Sequence, residues 1–295
     1  MVTFHVLTDF SAAATNALHY AVVLARHVGG LVHLWHMLPA RQASSAAYFG
    51  SPGAVCTAAQ AQASLLEVAR KVEQYVPCAT SLLLENPMQH LVATLGTKAG
   101  NVVVVGNANP VKSMQAAASS AALRLVQTLA QPLLVVPITY RAGAIPRRVV
   151  LDTDRQKVRL PVAASTIPCL LAQLTDSSQP LTLSHLPGDV EDLLNRVIPS
   201  VVGLHVYTSP ASPELVDVAN NIQATGLLHG VAHTVTSTRY PSIEEGIRYA
   251  ADRHQADLLT FVTRQRMYPG KQFLRSVTAG LLAHSRIPVL TIPEI

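Results

Sequence analysis

Short apolar runs of strand length alternate along this chain with longer stretches whose apolar residues recur at helical spacing. Residues 2–8, VTFHVLT, read as a first strand, and Asp9 closes it. Ser11 is a suitable N-cap for a helix from about Ala12 to Val28, with Ala13, Ala17, Tyr20, Ala21, Leu24 and Val28 on one face. Gly29 and Gly30 stop it, and Leu31 to Leu38 form a second strand. After a Pro-, Gly-, Ser- and Ala-containing segment at 39–56, a helix is expected over Thr57 to Tyr75 and a strand over Ala79 to Leu84. Asn86-Pro87 opens a helix to about Leu95. A Val-rich strand from Asn101, a turn at Gly106, an Ala-rich helix and a strand from Leu133 to Ile138 complete the series. Buried Val-rich strands separated by helices are the signature of a parallel sheet covered on both faces.

The pattern of Asn101 to Pro137 returns, without a gap, at Asp257 to Pro293, an offset of 156 residues. Ser120 falls on Ser276, and Pro132 on Pro288. A period of about half the chain indicates a duplicated domain rather than a solenoid. The expected boundaries are 1–140 and 147–295, with a linker between. The second half opens with the strand Arg147 to Thr153 and then departs from the first. Pro161 and Pro168 exclude a long first helix and leave a short one near Pro168 to Leu174. A strand over Leu181 to Leu186 and a helix over Val190 to Val197 are expected next. Beyond them come the strand Val201 to Tyr207, the helix Pro213 to Ala224 and the strand Ala232 to Ser237. Ser242-x-x-Glu245 reads as a capping box for a helix to about Arg253.

With 49% hydrophobic and 13% charged residues, each half can bury a core of its own. No apolar run reaches the length of a membrane span. The opening MVTFHVLTDF lacks the basic stretch of a signal peptide, so the cytoplasm is the expected compartment. Cys56, Cys78 and Cys169 are widely spaced and suggest neither a disulfide framework nor a zinc site. The net charge of +5 is dispersed, with no basic stripe carrying interleaved aromatics, which argues against nucleic acid as a partner. The one local cluster is Arg264, Arg266, Lys271 and Arg275, followed by Ser276. It offers an anion site on charge alone, weighed against a solvated loop. His33 and His36 point to opposite faces of a strand and suggest satisfied histidines rather than metal ligands. No GxSxG elbow, Walker lysine or HExxH occurs, so nucleophilic catalysis finds no motif.

The stretch VLTDFSAAATNALHYAVVLARHVGGLVHLWHM resembles the opening of a universal stress protein domain. The strand–Gly–loop–Ser–helix–strand–Pro pattern that ends each half resembles the close of one. The likeness covers 1–138 and most of 201–295, and it is weak over 156–200. It implies an α/β fold of two doubly wound parallel five-stranded sheets in tandem, each with strand order 3-2-1-4-5, of the adenine-nucleotide-α-hydrolase-like type. The fifth strands, Leu133 to Ile138 and Val289 to Ile292, would pair within the chain, leaving a monomer or a further homodimer open. The family's ATP motif is Gly-x2-Gly-x9-Gly-(Ser/Thr). Here Gly106 matches its first glycine, Asn109 and Ser119 replace the others, and Ser120 keeps the hydroxyl. In the second half Val262, Gln265 and Arg275 stand at the glycine positions and only Ser276 persists. Side chains there stand where bare backbone amides would approach phosphate.

By the same resemblance Thr8, Asp9 and Met37 join Gly106, Asn109, Ser119 and Ser120 as nucleotide-binding positions. The plainer alternative is that Asp9 bonds the amides of its own strand–helix turn. The expected role is non-catalytic, in stress signalling or binding, with ATP affinity reduced or lost and no metal. The rival is an ATP-binding, slowly hydrolysing protein that uses the first half. A third reading makes segment 156–200 the docking surface for a protein partner.

Overall fold

A computed structural model of the chain describes residues 1–38, 57–84, 87–108, 121–141, 143–153, 158–175, 200–264 and 277–294. In the first half β1 (Thr3–Thr8), β2 (Leu31–Met37), β3 (Cys78–Leu83), β4 (Asn101–Asn107) and β5 (Leu133–Pro137) alternate with α1 (Ala12–Val28), α2 (Ala58–Val72), α3 (Pro87–Leu95) and α4 (Ala121–Thr128). In the second half the strands are β6 (Arg148–Asp152), β7 (Ser200–Tyr207), β8 (Thr234–Arg239), β9 (Leu258–Arg264) and β10 (Val289–Glu294). The helices are α5 (Ile167–Leu174), α6 (Leu215–Ala224), α7 (Ile243–Arg253) and α8 (Val277–His284). The strand and helix expected within 181–197 lie outside the described residues.

The strands form one sheet in the order β3-β2-β1-β4-β5-β10-β9-β6-β7-β8. Each half is parallel and follows the order 3-2-1-4-5. Both expected five-stranded halves are present, and their fifth strands pair as expected, so the halves join in one continuous sheet. Val289, Leu290 and Thr291 of β10 pair antiparallel with Val135, Leu134 and Leu133 of β5. Joining the two apolar edges satisfies backbone groups that would otherwise face solvent. Thr291 Oγ1 adds a bond to the Leu133 carbonyl at 3.3 Å.

Alternation along the strands sorts the core into two layers. Phe4, Val6, Val32 and Leu34 lie on one face with the buried residues of α1, α2, α5 and α6. Leu7, Trp35, Met37 and Val103 lie on the other with those of α3, α4, α7 and α8. Both layers run through both halves.

Local signals account for the element ends. Ser11 Oγ accepts the Ala14 amide, and Gly29 ends α1 in the left-handed region at φ 62°. Pro161 precedes a 3-10 turn at Val162–Ala164, and Pro168 sits in the first turn of α5, where its missing N–H costs nothing. The capping box expected at Ser242 is not formed. Ser242 has the extended backbone of an N-cap, but its side chain makes no capping bond. Glu244 and Glu245 instead place negative charge in the first turn of α7. A reciprocal box is present at Thr57 and Gln60, at the start of α2.

Candidate functional site

In an open α/β sheet the ligand crevice lies beyond the carboxyl ends of the strands, where the strand order reverses. In the first half that point is between β1 and β4, with β2 on the far side of β1. Thr8, Met37 and Gly106 come from the carboxyl-terminal ends of β1, β2 and β4, and Asp9 follows β1 directly. The structure therefore gathers these four predicted positions at one end of the sheet. Asn109, Ser119 and Ser120 lie outside the described residues.

The polar groups at this end serve the turn itself. Thr8 Oγ1 accepts the Phe10 amide at 3.0 Å, and Asp9 Oδ1 accepts the Ser11 amide at 2.9 Å. These two bonds hold Phe10 in the left-handed region at φ 62°, which a bulky residue seldom adopts. The Phe10 ring lies 4.6 Å from that of His36. His36 Nδ1 donates to the Thr8 carbonyl at 2.7 Å, since a carbonyl can only accept. Burial holds its imidazole below the usual histidine range, partly offset by that bond. Met37 is buried in the same apolar layer as Trp35.

Gly106 has a specific steric reason to be glycine. A Cβ there would stand 2.3 Å from the Ala13 carbonyl oxygen and 2.8 Å from the Ala14 amide nitrogen. The first turn of α1 rests on β4 at this point. In the second half a 3-10 turn and the short α5 replace a long first helix, and Val262 occupies the equivalent position of β9. Val262 packs, half-buried, against the apolar layer. His205 Nδ1 repeats the strand-end bond of His36, donating to the Thr153 carbonyl at 3.1 Å.

Histidines on the opposite face are satisfied in a connected row. Trp35 Nε1 donates to His5 Nδ1 at 3.0 Å. That fixes the proton of neutral His5 on Nε2, which donates to Asn101 Oδ1 at 2.9 Å. His33 Nε2 meets Ser81 Oγ at 2.9 Å. Burial, with a smaller contribution from His5, lowers His33 to about 4. Among the described residues no group of three or more His, Cys, Asp or Glu is arranged to hold a metal.

Of the predicted basic cluster, only the backbone of Arg264 is described, at the end of β9 beside Glu294 of β10. Arg266, Lys271, Arg275 and Ser276 lie outside the described residues. Cavities lined by described residues include the following. One, of about 700 Å³, lies between α1 and α2 and is lined by Phe10, Leu18, Val22 and Tyr75 with Arg26 and Lys71. A second, of about 520 Å³, lies over the end of β7. The third, of about 330 Å³, lies at the junction of the halves, between residues 137–139 at the end of β5 and residues 284–286 at the end of α8. Arg248, His284 and Arg286 line it together, and no sequence motif marked them. Their one signal was the internal repeat, since the first half has Val92, Thr128 and Ala130 at the equivalent places.

No helix among the described residues is long and apolar enough to cross a membrane. No protein-family model matches the chain. No curated protein matches it by sequence. Solved structures do match it in fold. A universal stress protein from Archaeoglobus fulgidus DSM 4304 superposes with a TM-score of 0.65 at 12% identity, over 99% of this chain and 96% of that one. A candidate universal stress protein from Pseudomonas aeruginosa UCBPP-PA14 gives 0.55 at 11% identity, over 99% and 93%. A protein of unknown function from Pseudomonas aeruginosa PAO1 gives 0.54 at 10% identity, over 99% and 92%. Coverage this complete extends to both halves, so the chain shares the α/β fold of universal stress proteins along its whole length.

Proposed function

We propose that this chain is a non-catalytic protein of the universal-stress type, acting in stress signalling or binding, with ATP affinity reduced or lost. The carrying observation is at the end of β1. The Thr8 hydroxyl and one Asp9 oxygen close the turn that leads into α1. Gly106, the one glycine of the ATP motif that is kept, is required by the backbone of α1 at 2.3 Å whether or not phosphate is ever bound. The sequence adds side chains at Asn109 and Ser119, where close phosphate approach favours glycine. The matched residues thus support the turn and the packing of α1, and their presence is no sign of a nucleotide.

Titrating the full chain with ATP and magnesium while following its melting temperature tests this reading. Ligand at a hundred times its dissociation constant stabilises by ~2.7 kcal/mol. A flat response up to millimolar ATP is expected. A saturable rise, abolished by Asp9→Ala, would instead establish the ATP-binding rival at the end of β1. For the third reading, in which segment 156–200 is the docking surface, deletion of that segment is expected to abolish capture of a protein partner.

A further inference from the structure

We infer that the cleft between the two halves, walled by Arg248, His284 and Arg286, binds a small phosphate-class polyanion. The cleft is separate from the end of β1 and measures about 330 Å³, within the ~300–1,000 Å³ range of small-ligand pockets. Its lining holds two arginines and a histidine and no acidic residue. The cations come from different elements. Arg248 is in the middle of α7, His284 ends α8, and Arg286 lies in the loop leading to β10. Among the described residues neither arginine has a hydrogen bond or an ion pair to another group. Glu244 and Asp252 lie one helical turn on either side of Arg248, and neither pairs with it. Glu244 instead packs against Gly280 of α8.

A bland account would have the cations merely complement the negative end of α8. That suits His284 and Arg286, but Arg248 belongs to another helix and is far from that helix's own terminus. The end of α8 is also partly neutralised already. Asn107 Nδ2 donates to the Leu282 carbonyl at 2.9 Å, and the Ser285 amide donates to that of Leu281. The repeat gives an internal control. At an offset of 156, Arg248, His284 and Arg286 correspond to Val92, Thr128 and Ala130, while Ile138 of the cleft corresponds to Glu294. The same architecture is therefore built without these cations at the other end of the junction. Guanidinium forks from two elements that line one cleft match the oxygens of a phosphate or diphosphate better than a point charge does.

The test is calorimetric titration of the full chain with sodium pyrophosphate at low salt, without magnesium. The expected result is one saturable site. Arg248→Ala and Arg286→Ala should each weaken it roughly tenfold, as loss of a charge-assisted bond does. Lys98→Ala, which removes an exposed charge elsewhere, should leave it unchanged. All three positions are exposed, and unaltered urea midpoints would show that the variants fold. Absence of saturable heat would overturn the inference. So would equal affinity in the Arg248→Ala/Arg286→Ala double variant, or a loss in Lys98→Ala matching that of Arg248→Ala. Should ATP also bind, persistence of that binding in the double variant places it at the end of β1, and its loss places it in the cleft.

Discussion

At the scale of single residues, steric fit and proton balance decide what each position does. Gly106→Ala sets a methyl group against the backbone of α1, which cannot rotate aside as a side chain can. The expected cost is about 3 kcal/mol, the upper part of the range for overpacking, read from urea unfolding. A cost below 0.5 kcal/mol would return Gly106 to a purely ligand-binding explanation. The His5–His33–Trp35 row makes a pH prediction. Burial depresses His5 and His33, the latter to about 4. Their unfolded forms therefore take up protons at a higher pH than the folded forms. Between the unfolded histidine range near pH 6.5 and about pH 4 the unfolded chain holds more protons, so stability falls as pH falls. Protonating His5 would also remove the acceptor for Trp35 Nε1. His33→Gln should flatten the slope of urea midpoint against pH across this window. An unchanged slope would remove His33 as a contributor.

At the scale of elements, the strands were legible because Val-rich runs such as Val102 to Val105 are buried on both faces. The long helix α1 was legible because its apolar stripe and both caps are local features. The proline-broken start of the second half was also readable, since Pro161 and Pro168 act through covalent geometry. Capping was less legible. Thr57-x-x-Gln60 and Ser242-x-x-Glu245 share one spacing, yet only the first makes both bonds. The difference lies in side-chain torsions and packing that spacing does not encode. Thr57→Ala should therefore cost about 1 kcal/mol, and Ser242→Ala no more than a few tenths, in paired urea titrations. Equal losses would show that Ser242 caps α7 in solution. The cleft was marked in the sequence only by a departure from the internal repeat. Arg248 and Arg286 are distant in sequence and carry no motif, and only the packing of α7 beside α8 brings them together.

At the scale of the whole molecule, the repeat predicted two halves, but a repeat alone does not say how tightly they are coupled. The structure shows more than a strand pair at the junction. Asn107 of β4 bonds to Leu282 of α8, the Gly100 amide donates to Thr166 Oγ1 at 3.2 Å, and His27 Nε2 donates to the Gln173 carbonyl at 3.0 Å. The two apolar layers cross the junction without a break. Opening it would expose side chains such as Leu134 and Leu290, each worth about 1.5–3 kcal/mol when buried. The halves should therefore unfold together. The single tryptophan provides a local probe, because Trp35 sits on β2, four places along the sheet from β10. Its fluorescence should share one urea midpoint with far-ultraviolet circular dichroism, which reports on both halves. Leu290→Asp puts an unpaired carboxylate opposite Leu134 in the buried layer and should cost about 3 kcal/mol or more. If the halves are coupled, the Trp35 midpoint falls together with the dichroism midpoint, although the substitution lies in the other half. A Trp35 midpoint that stays in place while the dichroism curve splits in two would show that each half is stable alone. The junction would then be a docking contact and not part of a shared core.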